Sequence, residues 1–215
     1  MTKLEAYAPP ATAAKPLKPT ELLASLRSAL DPWKPGTPFW IFAYGSLMWN
    51  PQFTFGARHV ATIRGYHRAF RVWSRINRGT PENPGLVLTL ERGGSCRGLV
   101  YRIAPDMVQE EMQRIWKREM RFGSYCPRWL SCGVGEETIR CLVFTVNREC
   151  SGYAGDIPME IVVETIANAA GRYGPAHEYL FSTVDVLRQH GIRDPRVEHL
   201  AQLVRQRIRS GQAAA

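Results

Sequence analysis

The stretch "QRIWKREMRFGSY", Gln113–Tyr125, reads as the end of an amphipathic helix breaking into a glycine turn. Its apolar residues return at three- and four-residue spacing, whereas the segments on both sides read as short strands. One helix inserted into a run of strands, with further helices only at the end of the chain, argues for an α+β fold. Regular alternation of strand and helix would argue instead for a doubly wound parallel sheet. Pro105 suits the first turn of this inserted helix.

One residue breaks the pattern. With an advance of about 100° per residue and Val108 as zero, Met112 falls at about 40°, Ile115 at about −20°, Trp116 at about 80° and Met120 at about 120°. Glu119 falls at about 20°, inside the apolar arc, while Lys117 and Arg118 fall outside it and lie in water at no cost. Carboxylates are rarely buried unless paired. A buried one loses hydration, which raises its pKa and suits it to acid–base work near neutrality. The same pattern also allows the helix to end at Lys117, with Glu119 turned out or paired with a nearby arginine.

Strands are expected on either side. "FWIFAY" (Phe39–Tyr44) is a continuous apolar run of strand length, suited to burial on both faces. "RHVATIRGYHRAFRVWS" reads as one or two strands around Gly65. "GLVLTLE" (Gly85–Glu91) and "CRGLVYRI" (Cys96–Ile103) flank Gly93-Gly94 as a hairpin would. "PRWLSC" and "TIRCLVFTVN" (Thr138–Asn147) follow the inserted helix, and after "RECSGYAGDIP" come helices at Met159–Ala170, Ala176–Gln189 and Pro195–Arg209. Strands apolar on both sides suit a small mixed β-barrel with flanking C-terminal helices. Residues 1–37 are expected to be an N-terminal extension, partly disordered because residues 1–18 are rich in Ala and Pro. It holds one short helix at Pro19–Leu30, with Thr20 as N-cap. Residues 38–212 are expected to be the folded domain.

The chain has 215 residues and a net charge of +9, but no run of five like charges, so a nucleic-acid partner is not expected. No stretch of about 18 apolar residues exists, and neither a membrane span nor a signal peptide is expected. The five cysteines are odd in number, form no C-x-x-C pair and have no His at zinc-finger spacing. They read as reduced thiols of a cytoplasmic protein. The five histidines are scattered, and no metal site is expected.

"AYGSLMWN" (Ala43–Asn50) is the second informative stretch. Gly45 lets a ligand approach the backbone closely. Successive N–H groups at such a turn can cradle a carboxylate or phosphate, and Ser46 adds a hydroxyl. An ordinary strand-to-loop turn has the same pattern. Neither a G-x-x-x-x-G-K loop nor a G-x-S-x-G elbow is present.

"YGSL" after an apolar strand, followed by "RE" and a downstream G-x-Y, resembles the ChaC family of glutathione-specific γ-glutamylcyclotransferases. "GYHRAFRVWS", "PGLVLTLE…CRGLVYRI", "ECSGYAGDIP" and "GPAHEYLF" are similar to further motifs of that family in the same order, over roughly residues 39–192. The resemblance implies a γ-glutamylcyclotransferase-like barrel that uses no metal or organic cofactor. It also implies cleavage of glutathione, or another γ-glutamyl compound, by cyclisation to 5-oxoproline with release of cysteinylglycine. The turn Tyr44, Gly45, Ser46, Leu47 would hold the γ-glutamyl group and Glu119 would be the acid/base. Arg68 would face a substrate carboxylate, and Tyr125 would line the pocket. Ser124 departs from the family's Gly-Gly-Tyr and narrows the backbone choices there. Phe144 stands where some relatives carry Tyr. The alternative on the same scaffold is a non-catalytic γ-glutamyl-binding or regulatory protein of the cation-transport-regulator type.

Overall fold

In a computed structural model, the structure describes Tyr7 and residues 15–213. The expected disorder of residues 1–18 falls largely outside the described residues. The chain divides into two compact units, one built on Ala14–Arg68 and Leu90–Cys150, the other on Ala69–Thr89 and Ser151–Ala215.

The first unit holds most of a closed barrel. The barrel's strands are β1 (Phe39–Ala43), β2 (Ala57–Ser74), β3 (Gly85–Ile103), β4 (Tyr125–Val134) and β5 (Glu137–Val146), in the order β1-β3-β2-β4-β5. Of these, β2 and β3 each run on into the second unit. β1 lies between β3, antiparallel with Phe39 opposite Ile103, and β5, parallel with Ile41 opposite Leu142. Phe39, Ile41, Phe42 and Ala43 are all buried, so the continuous apolar run is explained by burial on both faces. β4 and β5 pair along their whole length, from Tyr125–Val146 to Val134–Glu137.

Of the one or two strands expected around Gly65, the structure has one: β2 runs for 18 residues through Gly65, whose φ is 82°. One sequence expectation changes here. Gly93-Gly94 is not a hairpin turn: β3 is one strand of 19 residues that runs straight through it. The two segments do not fold onto each other because Leu99–Ile103 is taken by β1. Gly93 and Gly94 take φ of 101° and 71°, which only glycine adopts readily, and so bend the strand without ending it.

The inserted helix α3 (Val108–Glu119) follows a single 3-10 turn, Pro105–Met107. It buries Val108, Met112, Ile115 and Trp116, the apolar arc read from the sequence. Helix α1 (Pro19–Leu30) packs in the same unit: Ser25 Oγ accepts from the Trp116 indole at 2.8 Å, and the Ala29 carbonyl accepts from that of Trp129 at 2.8 Å. Its cap is Lys18, whose backbone N–H donates to Glu21 Oε2 at 2.7 Å. Thr20, the expected cap, already lies inside the first turn because Pro19 occupies N1.

The second unit carries α4 (Met159–Asn168), α5 (Ala176–Gln189) and α6 (Pro195–Ala213). α4 stops short of the expected Ala170 because Ala170–Gly171 pairs with Gly174–Pro175 as β6 and β7. α6 extends past Arg209. Tyr179 is buried with its ring 6.2 Å from Phe70, so it belongs to this unit's core. Among the described residues, no helix is long and apolar enough to cross a membrane. The five cysteines form no disulfide, and Cys96, Cys132 and Cys141 are buried.

The close contact of β1 with β3 depends on Gly98. A Cβ there would stand 2.3 Å from the Ala43 carbonyl oxygen and 2.8 Å from Phe42 Cζ. Gly98→Ala is therefore expected to cost about 1–3 kcal/mol, read as a lower urea midpoint at unchanged slope. An unaltered midpoint would mean that the two strands separate freely at this place.

Candidate active site

The site begins where β1 ends. Tyr44 and Gly45 bend the chain into α2 (Ser46–Trp49), a single helical turn closed by Met48 N–H donating to the Gly45 carbonyl at 2.9 Å. Leu47 and Met48 are buried beneath it. Ser46 and Leu47 supply the N–H groups that the first turn of any helix leaves without intrahelical acceptors.

Three side chains hold this turn in place. Arg68, only 5% exposed, donates from Nε to the Tyr44 carbonyl at 2.6 Å and from Nη2 to the Arg97 carbonyl of β3. Its guanidinium thus fastens the turn to the barrel, and these two nitrogens face backbone carbonyls rather than the substrate carboxylate expected from the sequence. Fully buried Tyr101 donates its hydroxyl to the Met48 carbonyl at 3.2 Å. Arg118 donates from Nη2 to Ser46 Oγ at 2.8 Å and from Nη1 to the Asn50 carbonyl at 2.5 Å.

Arg118 also reaches the carboxylate. Its Nε lies 3.0 Å from Glu119 Oε1. The helix runs through Glu119 and ends at Met120, whose N–H donates to the Trp116 carbonyl at 2.9 Å. Hence Glu119 does not swing out: 13% of its side chain is accessible. Of the readings left open by the sequence, burial and pairing with an arginine both hold. The ion pair lacks the alignment of a hydrogen bond, so Oε1 is buried without a hydrogen-bond partner among the described residues. Burial pushes the Glu119 carboxyl above the ordinary carboxylate range, and the neighbouring Arg118 charge pulls it partly back.

The remaining wall is aromatic. Tyr125, the first residue of β4, has its ring 6.2 Å from Phe144, which stands 5.5 Å from Trp116, one turn before Glu119. Phe144 is buried in this stack, so its place is filled by packing and calls for no hydroxyl. Ser124 does not strain the turn as expected. The residue that needs the left-handed conformation is Gly123, with φ 63°, and Ser124 does not share it.

The structure thus brings Ser46 and Glu119 onto one guanidinium, with Gly45 and Leu47 beside Ser46 and with Tyr44 anchored by Arg68. The sequence reading missed Arg118 and Tyr101. Arg118 was visible only as the Arg of the "RE" pair, and helical periodicity assigned it to water. Tyr101 was visible only as the tyrosine of "CRGLVYRI", one of the stretches similar to the family's motifs.

The ChaC-like protein family matches residues 39–207. The glutathione-specific gamma-glutamylcyclotransferase of Escherichia coli (strain K12) is 36% identical over 172 residues, which are 80% of this chain and 74% of that protein. The glutathione-specific gamma-glutamylcyclotransferase 1 of Mus musculus is 30% identical over 200 residues, 90% of this chain and 89% of that protein. The crystal structure of the selenomethionine-labelled gamma-glutamylcyclotransferase specific to glutathione from yeast has the same fold, with a TM-score of 0.74 at 22% identity over 79% of this chain and 96% of that one. With the barrel, the turn after β1 and the buried glutamate at the end of α3 all in place, the chain belongs to the ChaC-like protein family.

Proposed function

We propose that this protein is a γ-glutamylcyclotransferase acting on glutathione, with Glu119 as its acid/base and the Tyr44–Leu47 turn as its γ-glutamyl holder. The observation that carries the proposal is the single Arg118 guanidinium bonded to Ser46 Oγ and facing the Glu119 carboxylate at 3.0 Å. A purely structural glutamate has no need to sit in an apolar arc beside a glycine-serine turn.

The chemistry requires one proton carrier and one orienting surface. The α-ammonium of the γ-glutamyl group must lose a proton before its nitrogen can attack. That nitrogen then bonds to the γ-carbonyl carbon and closes the five-membered ring of 5-oxoproline. The bond from the same carbon to the cysteinyl nitrogen breaks, and this nitrogen leaves with a returned proton as the amine of cysteinylglycine. The ammonium's first proton passes to solvent; a carboxylate with a raised pKa takes the second, which the attacking nitrogen sheds as the ring closes, and gives it to the departing cysteinyl nitrogen. The Ser46 and Leu47 N–H groups and the Ser46 hydroxyl hold the substrate's charged end so that its amine and carbonyl meet. The nucleophile belongs to the substrate, so the mechanism uses no protein nucleophile. Tyr125 lines the pocket on the aromatic side. The E. coli and mouse relatives carry glutathione in their names, and this supports glutathione as the substrate here.

Purified protein incubated with glutathione should release 5-oxoproline and cysteinylglycine in equal amounts. Glu119→Gln should lower kcat/KM by about 10²–10⁴-fold, the range of general acid–base catalysis. Equal turnover by the two proteins would refute Glu119 as the acid/base. Binding of glutathione without any product from the wild type would favour the regulatory alternative.

The same substitution has a stability signature. Because the folded-state pKa of Glu119 is raised, the native protein holds this proton more tightly than the unfolded chain does. Stability linked to this group is fully present below the ordinary carboxylate pKa and falls as pH rises through the folded value. Glu119→Gln removes that loss. Its Tm should equal or exceed the wild type's at pH 8, with the gap closing towards pH 4. A variant less stable at pH 8 than at pH 4, relative to wild type, would contradict the direction of the shift.

A further inference from the structure

We propose that Arg118 is a positioning residue that sets the separation between the Ser46–Gln52 segment and the Glu119 carboxylate. The inference deepens the reading above and rests on it.

The orientation of the guanidinium distinguishes this role from that of an ordinary ion-pair partner. An arginine whose task is to neutralise a carboxylate presents two parallel N–H groups to its two oxygens. Arg118 turns both terminal nitrogens the other way. Nη2 donates to Ser46 Oγ at 2.8 Å and Nη1 to the Asn50 carbonyl at 2.5 Å, with the Gln52 side-chain oxygen 3.4 Å from Nη1. Only Nε faces Glu119, at 3.0 Å and without hydrogen-bond alignment. The fork therefore serves the turn, and its stem serves the carboxylate.

The segment it holds is strained at its far end. Gln52 has φ 54°, and among the described residues it is the one non-glycine in the left-handed region. Such a conformation persists where surrounding bonds over-determine it, and the Nη1 contacts to Asn50, Pro51 and Gln52 supply those bonds. At the other end Arg118 and Glu119 are consecutive residues of the last turn of α3, which Met120 N–H closes onto Trp116. Movement of the turn relative to the carboxylate must break the fork or unwind that helix end. Lysine cannot take the place: its ammonium is one point with no planar fork, and it cannot span Ser46, Asn50 and Glu119 together.

The test is steady-state glutathione turnover by wild type, Arg118→Lys, Ser46→Ala, the double variant and Glu119→Gln. Arg118→Lys keeps the charge but loses the fork. It should raise KM about tenfold, as loss of a hydrogen bond to a charged group does, while kcat stays within about threefold because acid–base chemistry persists. Since Arg118 acts through Ser46, the two single effects on KM should fail to multiply in the double variant. A KM within twofold of wild type for Arg118→Lys, or effects that multiply fully, would overturn the proposal. Glu119→Gln separates the two levels. If it turns over normally, the acid/base assignment itself fails. If it is inactive while Arg118→Lys behaves as wild type, only the positioning role fails. Should Arg118→Lys not fold, Gln52→Gly replaces it, removing one acceptor and relieving the backbone. A raised KM at equal or higher Tm then supports the role, and an unchanged KM refutes it.

Discussion

The site depends on a carboxylate kept in a poorly hydrated place by one cation. Glu119 gives up most of its hydration at the end of α3. Nothing in the apolar arc of that helix compensates it, and its Oε1 has no hydrogen bond. The Arg118 guanidinium offsets part of the desolvation but does not return the group to an ordinary carboxylate. An aligned, bidentate partner would stabilise the anion more and make it a weaker base. The misaligned contact through Nε thus leaves the carboxyl with a raised affinity for its proton.

The barrel serves this arrangement by fixing the turn from below. β1 is buried on both faces and ends abruptly at Gly45, so the next residues emerge in one direction only. Arg68 and Tyr101 then secure the carbonyls of Tyr44 and Met48 from inside the protein. Buried polar groups of this kind are costly unless satisfied. Here they are satisfied by the backbone of the turn, which is why Arg68 can be almost inaccessible. The same logic accounts for Gly98, whose missing side chain lets β3 approach the end of β1.

Much of the fold was legible in the chain. Period-3.6 spacing marked α3 and the C-terminal helices nearly to the residue, and continuous apolar runs marked β1 and β5. Local signals left Gly65 open between one strand and two, and failed at Gly93-Gly94. A left-handed glycine reads alike in a hairpin turn and in a bent strand, and the choice between them depends on which strand pairs with which. Thr20 and Ser124 failed for a related reason: neighbouring Pro19 and Gly123 had already taken the special position.

What the sequence by itself determined was the family, the α+β class and the presence of a carboxylate within the apolar arc of the inserted helix. These follow from short-range pattern, since side-chain direction along a helix or strand is set by geometry of a few residues. What only the tertiary structure decided was the direction of Arg118 and the attachment of Arg68 and Tyr101. Periodicity assigns a backbone direction to an arginine but says nothing about where its long, flexible stem carries the charge. Its acceptors Ser46 and Asn50 lie about seventy residues before it in the chain, and only the closed barrel brings them and the Glu119 carboxylate within one guanidinium's reach.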